Sequence, residues 1–183
     1  MINKKISSII QSRKSIYPNE FNGELIEEDV IVQLLENANY APTHKMTQPW
    51  IFKIFCNDSK NKLLDEIIKN KEVSENKKKK LENSFNKSSH IICICMKKNN
   101  DLLPEWEEIA ATSMAVQNLW ISCVDSNIGG YWSTPKYINK LRTFLTLNED
   151  EICLGFFYLG VHNSKNTKKI KRDNISKKIQ WFR

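Results

Sequence analysis

Glycine is scarce in this chain, with five residues in 183. Gly23, Gly129, Gly130, Gly155 and Gly160 form neither the Gly-x-Gly-x-x-Gly turn of a dinucleotide fold, nor a P-loop, nor a Gly-x-Ser-x-Gly nucleophile elbow. Dinucleotide-fold, NTPase and serine-hydrolase readings lose their support. Histidine is equally sparse: His44, His90 and His162 lie far apart, and no His-Glu-x-x-His or paired-cysteine spacing occurs, so no metal site is expected. Arginine is confined to Arg13, Arg142, Arg172 and Arg183. The formal net charge of +7 therefore rests on lysine, and the bidentate base and phosphate chemistry of nucleic-acid readers is poorly supplied. No apolar run approaches the ~18 to 20 residues of a membrane helix, and Met1-Ile2-Asn3-Lys4-Lys5-Ile6 does not read as a signal peptide. A soluble cytoplasmic protein with no nucleic-acid or membrane partner is expected. The five cysteines are odd in number and each lies in an apolar segment, as free buried thiols do in a reducing compartment.

The 40% hydrophobic content suits a single domain over residues 1–183. Ile6, Ile9 and Ile10 recur at helical spacing and predict a short first helix ending near Ser12 or Arg13. Val30, Ile31, Leu34, Leu35 and Ala38 make one stripe of a second helix, opened by Glu27, Glu28 and Asp29 and closed by Pro42. Trp50–Cys56 and Ile91–Met96 read as strands, the latter placing Cys93 and Cys95 on one face. Between Pro104 and Asn127 a central helix roughly 30 Å long is expected, with small residues Ala110, Ala111, Ser113 and Ala115 that admit close approach of another helix. Pro135 is expected to open a helix carrying Ile138, Leu141, Phe144 and Leu145, and Ile152–Val161 reads as a buried strand. Sparse apolar residues from Leu63 to Phe85, including Lys77-Lys78-Lys79-Lys80, predict a solvated helix or excursion. The aromatics of the tail, Trp181 and Phe182, need a sheet or a partner to dock on. The interleaving of helices and strands gives α+β with one mixed central sheet flanked by helices.

Three segments interrupt this core-forming pattern. Arg13-Lys14-Ser15 offers a guanidinium fork, a second cation and a hydroxyl to a phosphate, though taken alone it reads more readily as an ordinary exposed helix end. Ala41-Pro42-Thr43-His44-Lys45-Met46-Thr47-Gln48-Pro49-Trp50 presents His44, Lys45, Thr47 and Gln48 between two rigid prolines; a capping or core role for His44 competes. Gly129-Gly130-Tyr131-Trp132-Ser133-Thr134 lets backbone approach a flat ring, with a stacking surface at Trp132 and hydroxyls at Ser133 and Thr134; a tight helix-to-strand turn is the alternative.

In this order, the segments resemble the short FMN-binding, NAD(P)H-dependent branch of the nitroreductase family, with its Arg-Arg-Ser start, Ala-Pro-x-His-Lys-x-x-Gln-Pro-Trp loop and Gly-Gly-x-Trp-x-Ser turn. Pro104-Glu105-Trp106-Glu107 and Leu154–Gly160 add to the likeness, which spans nearly the whole chain. The resemblance implies a nitroreductase-like fold, an intertwined homodimer and two FMN sites at its interface. Arg13, Lys14, Ser15, Gly130, Trp132, Ser133 and Thr134 would contact FMN from one subunit, and Tyr40, His44 and Gln48 belong to the loop that would reach it from the other. It further implies ping-pong hydride transfer from NADH or NADPH through flavin N5 to a small-molecule acceptor such as a nitroaromatic or quinone, with no catalytic side chain required. Ser122–Asn127 falls where the resemblance places nicotinamide contact, although helix packing also accounts for it. Lys14 stands for the second arginine, Tyr40 for a basic residue and Ser133 for an arginine, so two cations near the flavin are missing. A same-fold flavoenzyme with dehalogenating or flavin-degrading chemistry, or a basic non-enzymatic binding module, are the rival expectations.

Overall fold

The computed structural model describes residues 2–69, 73–163 and 171–183. The polar stretch 164–170, and residues 70–72 of the segment expected to face water, lie outside the described residues. The first helix, α1 (Lys4–Ser12), opens at Asn3, whose Oδ1 accepts the N–H groups of Lys5 and Ile6 at 3.0 and 3.3 Å, a side-chain cap on two otherwise orphaned donors. It buries none of its residues. Helix α2 (Glu28–Asn39) carries Glu28 and Asp29 in its first turn and turns Ile31, Leu34 and Ala38 inward, as its stripe predicts. The central helix α5 (Glu105–Ser122) starts just after Pro104 with three glutamates in its first turn and packs beside α2. It is about 27 Å long. It stops short of Asn127, and Asp125 then adopts a left-handed φ of 61°.

Four strands, β1 (Trp50–Phe55), β2 (His90–Lys97), β3 (Ile128–Ser133) and β4 (Glu151–Val161), form one sheet in the order β1-β2-β4-β3. The sheet was expected to be mixed, but each pairing among the described residues is antiparallel. Alternation along the strands, interrupted once on β4 near Gly155, splits the core in two. Ile92, Ile94, Phe157 and Leu159 face α2 and α5, whereas Ile91, Cys93, Cys95, Phe156 and Tyr158 face α3 (Asn57–Ile68) and α4 (Glu75–Lys87). Hydrogen bonding to Cys153 and burial hold the Cys93 and Cys95 thiols above their ordinary range, which keeps them protonated and inert.

Two further expectations are corrected. The segment Leu63–Phe85 is helical and exposes Lys77, Lys79 and Lys80 as expected, but it is not solvated throughout: α3 and α4 bury Leu63, Leu64, Ile67, Leu81 and Phe85 against the sheet. Its apolar residues are few but all fall on one side, and a composition count misses that. Nor does Pro135 open a long helix. A single 3-10 turn, Ile138–Leu141, forms there. The chain is then folded back by Arg142, whose guanidinium donates to the carbonyls of Asn148 and Glu151, and by a left-handed Thr146. The apolar spacing belongs instead to a coil that buries Tyr137, Ile138, Leu141 and Leu145.

Between Ile94 and Cys95 the β2–β4 register slips by one residue, so that Ile94 faces Gly155 and Cys95 faces Cys153. Gly155 has φ +151°, and a Cβ there would lie 2.5 Å from the Ser133 carbonyl oxygen and 2.7 Å from Trp132 Nε1. Gly155→Ala is expected to lower stability by about 1–3 kcal/mol, read as a reduced midpoint in chemical denaturation. A second test uses His90, buried at the start of β2, where Nδ1 bonds Ser89 Oγ at 2.8 Å. Burial, and then the Lys60 ammonium, lower its pKa. The unfolded chain therefore binds a proton more readily at His90, and stability is complete above the unfolded pKa of about 6.5 and falls as pH drops through the folded value. Denaturation curves between pH 7 and 5 should show this loss in the native chain and less of it in His90→Asn.

Candidate functional site

Arg13 follows the last residue of α1, with its N–H donating to the Ile9 carbonyl at 3.2 Å, so the end of α1 fixes where its side chain starts. The guanidinium lies over the Trp120 ring, 4.5 Å from its centroid. Its Nη1 is buried and has no hydrogen-bond partner among the described residues. Burial, and then the charge of Arg172, push its pKa down. A buried donor without an acceptor costs roughly 1–3 kcal/mol, and two guanidinium groups side by side repel. Both penalties are relieved by an anion. Beside Arg13 is a cavity of about 240 Å³ lined by Lys14, Trp120, Cys123, Asp125, Ser126, Gly130 and His162 among others.

Beyond Arg13 the chain runs extended along the sheet edge. Ile16 N–H donates to the Gly130 carbonyl at 3.1 Å, and Asn22 N–H to that of Val161 at 3.0 Å. This strip leads to a second cleft of about 600 Å³, lined by Tyr17, Asn19, Lys77, Lys80, Leu81, Ser84, Tyr131, Ser133 and Tyr158 among others. Tyr17 and Tyr131 contact each other with ring centroids 4.7 Å apart, and Tyr131 and Tyr158 lie 6.2 Å apart. Burial raises the Tyr158 pKa, so its hydroxyl stays neutral. One strand of chain, residues 13–19, thus joins a cationic pocket to an aromatic cleft. That is the outline of a ligand with an anionic end, a connecting chain and a flat ring.

Within that frame the structure disperses the sequence-derived residues. Arg13, Lys14 and Gly130 line the first pocket and Ser133 the second. Ser15 is half-buried between them. Trp132 sits on the opposite face of β3 from Tyr131 and Ser133, against the core shared with α2 and α5, and its Nε1 is buried without a partner among the described residues. The Thr134 hydroxyl donates to the Leu154 carbonyl at 3.0 Å. Gly129 and Gly130 are not in a turn but inside β3, where a Cβ on Gly130 would fall 2.2 Å from the Phe157 ring. The flat ring this glycine approaches is a core phenylalanine.

Tyr40, His44 and Gln48 are elsewhere. Tyr40 caps α2 and is 87% exposed. His44 Nδ1 lies 2.6 Å from Glu107 Oε2, in the first turn of α5, whereas Arg13 rests on Trp120 in its last turns. Thirteen residues of helix separate the two, about 20 Å. The loop between is strained: Lys45, Met46 and Gln48 all hold left-handed φ of 45° to 55°, which for non-glycine residues costs on the order of 1 kcal/mol or more each. Sequence reasoning missed Tyr17, Lys77, Lys80 and Ser84. The signal was present in the spacing 77, 80, 81, 84, which puts four residues on one helical face.

The Nitroreductase family model matches residues 10–161. The chain is 28% identical over 154 residues to the provisionally named NAD(P)H nitroreductase YfhC of Bacillus subtilis, covering 80% of this chain and 78% of that protein. It is 22% identical over 155 residues to the likewise provisionally named YdjA of Escherichia coli K12, covering 81% and 85%. Among solved structures, a nitroreductase-like family protein from Bacillus cereus superposes with a TM-score of 0.87 at 22% identity, covering 100% of this chain and 98% of that one. The FMN-dependent nitroreductase NfnB from Mycobacterium smegmatis, in complex with NADPH, does so with a TM-score of 0.76 at 15% identity, covering 98% and 99%. At these identities the superpositions speak for the fold alone. The family match, spanning both edges of the sheet and the whole of α5, makes this chain a member of the nitroreductase family.

Proposed function

We propose that the chain is one FMN-binding unit over residues 1–183 that acts as an NAD(P)H-dependent oxidoreductase on a small organic acceptor, a nitroaromatic, quinone or similar compound. The observation that supports it most is the buried Arg13 Nη1 without an acceptor, one extended strip away from a cleft walled by three tyrosines. Arg13 and Lys14 would hold the phosphate, Ser15 the linking chain, and Tyr17, Tyr131 and Ser133 the ring. Bound FMN supplies hydride exchange, between NADH or NADPH on one side and the acceptor on the other. The residues bind and orient, and no acid, base or nucleophile among them is asked to react.

A single chain leaves His44 about 20 Å from Arg13 along α5, so the reading includes a homodimer in which the partner's loop completes the site. The exposed apolar side chains fit this: Ile6 and Ile10 on α1, Trp106, Ile109 and Met114 on α5, and Trp181 and Phe182 in the tail, 75% and 87% exposed. Apolar side chains left in water on these elements suit such an interface. The five free thiols suit a cytoplasmic setting.

The visible spectrum of the purified protein is expected to show flavin bands that bleach under anaerobic NADH or NADPH. A protein that is colourless, and stays so after addition of FMN, would remove the reading. Arg13→Ala should cost about 1.5–3 kcal/mol of charge-assisted binding and weaken FMN retention ten- to a hundred-fold. In a mixed dimer of Arg13→Ala with His44→Ala, one site receives both defects and the other neither, so flavin titration should recover one intact site per dimer.

A further inference from the structure

Helix α4 carries four lysines in a row, Lys77 to Lys80, which the helical repeat sends to different sides. Lys78 turns away to Glu75, at 2.6 Å. Lys77, Lys80, Leu81 and Ser84 follow the i, i+3, i+4, i+7 spacing and line the aromatic cleft together with Ser133. Lys77 Nζ lies 5.0 Å from the Tyr137 ring centroid. Neither Lys77 nor Lys80 has an acidic partner among the described residues, and no carboxylate appears among the residues lining the cleft. Two exposed lysines therefore line one polar-aromatic space in which no described residue of the lining is acidic.

On the FMN reading above, on which this inference rests, the ring would lie in this cleft, where Ser133 on β3 is uncharged. We propose that Lys77 and Lys80 of α4 supply the positive field at the ring, as the electrostatic tuning residues of the bound flavin. A flavin ring becomes more negative on taking up a hydride, and cations lining the cleft favour that form over the oxidised one. The lysines thus act on the redox balance more than on binding of the oxidised cofactor, whose charge resides in the phosphate at Arg13. A lysine is suited to this: its charge is compact and its stem long enough to reach over the cleft from a surface helix.

The test is the reduction potential of the FMN-loaded protein, by equilibration with a reference dye, in Lys77→Gln, Lys80→Gln and the double variant. Dissociation constants for oxidised FMN are measured alongside. Each lysine is expected to contribute on the order of a tenfold preference for the reduced form. For a two-electron couple that is about 30 mV lower potential per substitution, with oxidised FMN affinity changed less than about threefold. Arginine at either position should restore the potential. Lys79→Gln, the same charge change on another side of α4, should leave it in place. A double variant with the native potential, or a Lys79→Gln shift equal to that of Lys80→Gln, overturns the proposal while leaving the FMN reading intact. A native chain that takes up no FMN overturns both.

Discussion

The site depends on how closely the N-terminal strip lies against β3 and β4. Gly129 and Gly160 are cross-strand partners, and a Cβ on either would fall about 2.5 Å from Ile16 or Phe21. Their absent side chains let residues 16–21 settle onto the sheet, buried at Ile16 and Phe21 and hydrogen-bonded at Ile16 and Asn22. That contact fixes the two ends of the strip. Arg13 is delivered to Trp120 at the end of α5, and Tyr17 to Tyr131 across β3. A larger residue at the glycine pair would lift the strip and move the cation and the aromatic wall apart. The scarcity of glycine elsewhere, with four of the five within β3 and β4, is the sequence signature of this demand for close approach.

Charge is distributed to the same end. Arg13 is penalised by burial and by Arg172, and Lys77 and Lys80 face a cleft without carboxylates. Left empty, the Arg13 pole lowers stability; on the proposed reading, a phosphate there and an electron-accepting ring at the other pole would make the arrangement a favourable field. The strained His44–Gln48 loop has the same character. Three left-handed residues cost free energy, which the His44–Glu107 pair that ties the loop to α5 offsets in part, and strain of this kind gathers at functional segments.

Most elements were legible because their residues face one way for their whole length. The stripe of α2, the run of β2 and the apolar length of β4 all state a direction in the sequence itself. The family was legible from the His44 loop, where prolines, histidine and glutamine fall at fixed offsets. What escaped was everything assembled from distant stretches. Tyr17, Lys80, Ser133 and Tyr158 meet only after four elements have packed, so the Lys77–Lys80 run, exposed at three of its four residues as expected, gave no sign of the cleft that two of its lysines line. The coil after Pro135 misled for a related reason. Its apolar residues do keep helical intervals, but the Arg142 bonds to Asn148 and Glu151 close the segment into turns before a helix can extend, a tertiary contact overriding local pattern. The mixed sheet failed because element order constrains strand direction only where a crossover is certain.

Helix α1 makes the strongest physical case that assembly and cofactor loading are linked. It has nine residues, buries none of them, and its visible anchors are its Asn3 cap and the chain that follows it. A helix this short is marginal in water, and a cap contributes only about 1 kcal/mol. Its isoleucine face, with Ile6 and Ile10 half exposed, therefore calls for a covering surface, which in the proposed dimer is the partner. Arg13 is the residue that ends this helix. Its guanidinium is positioned over Trp120 by the last turn of α1, and covering the helix's apolar face would favour that turn. An anion at Arg13 in turn pins the C-terminal end of the same helix. Each event thus pre-pays part of the ordering cost of the other. On the proposed reading, FMN would bind a dimer more tightly than a monomer even before His44 of the second chain makes contact.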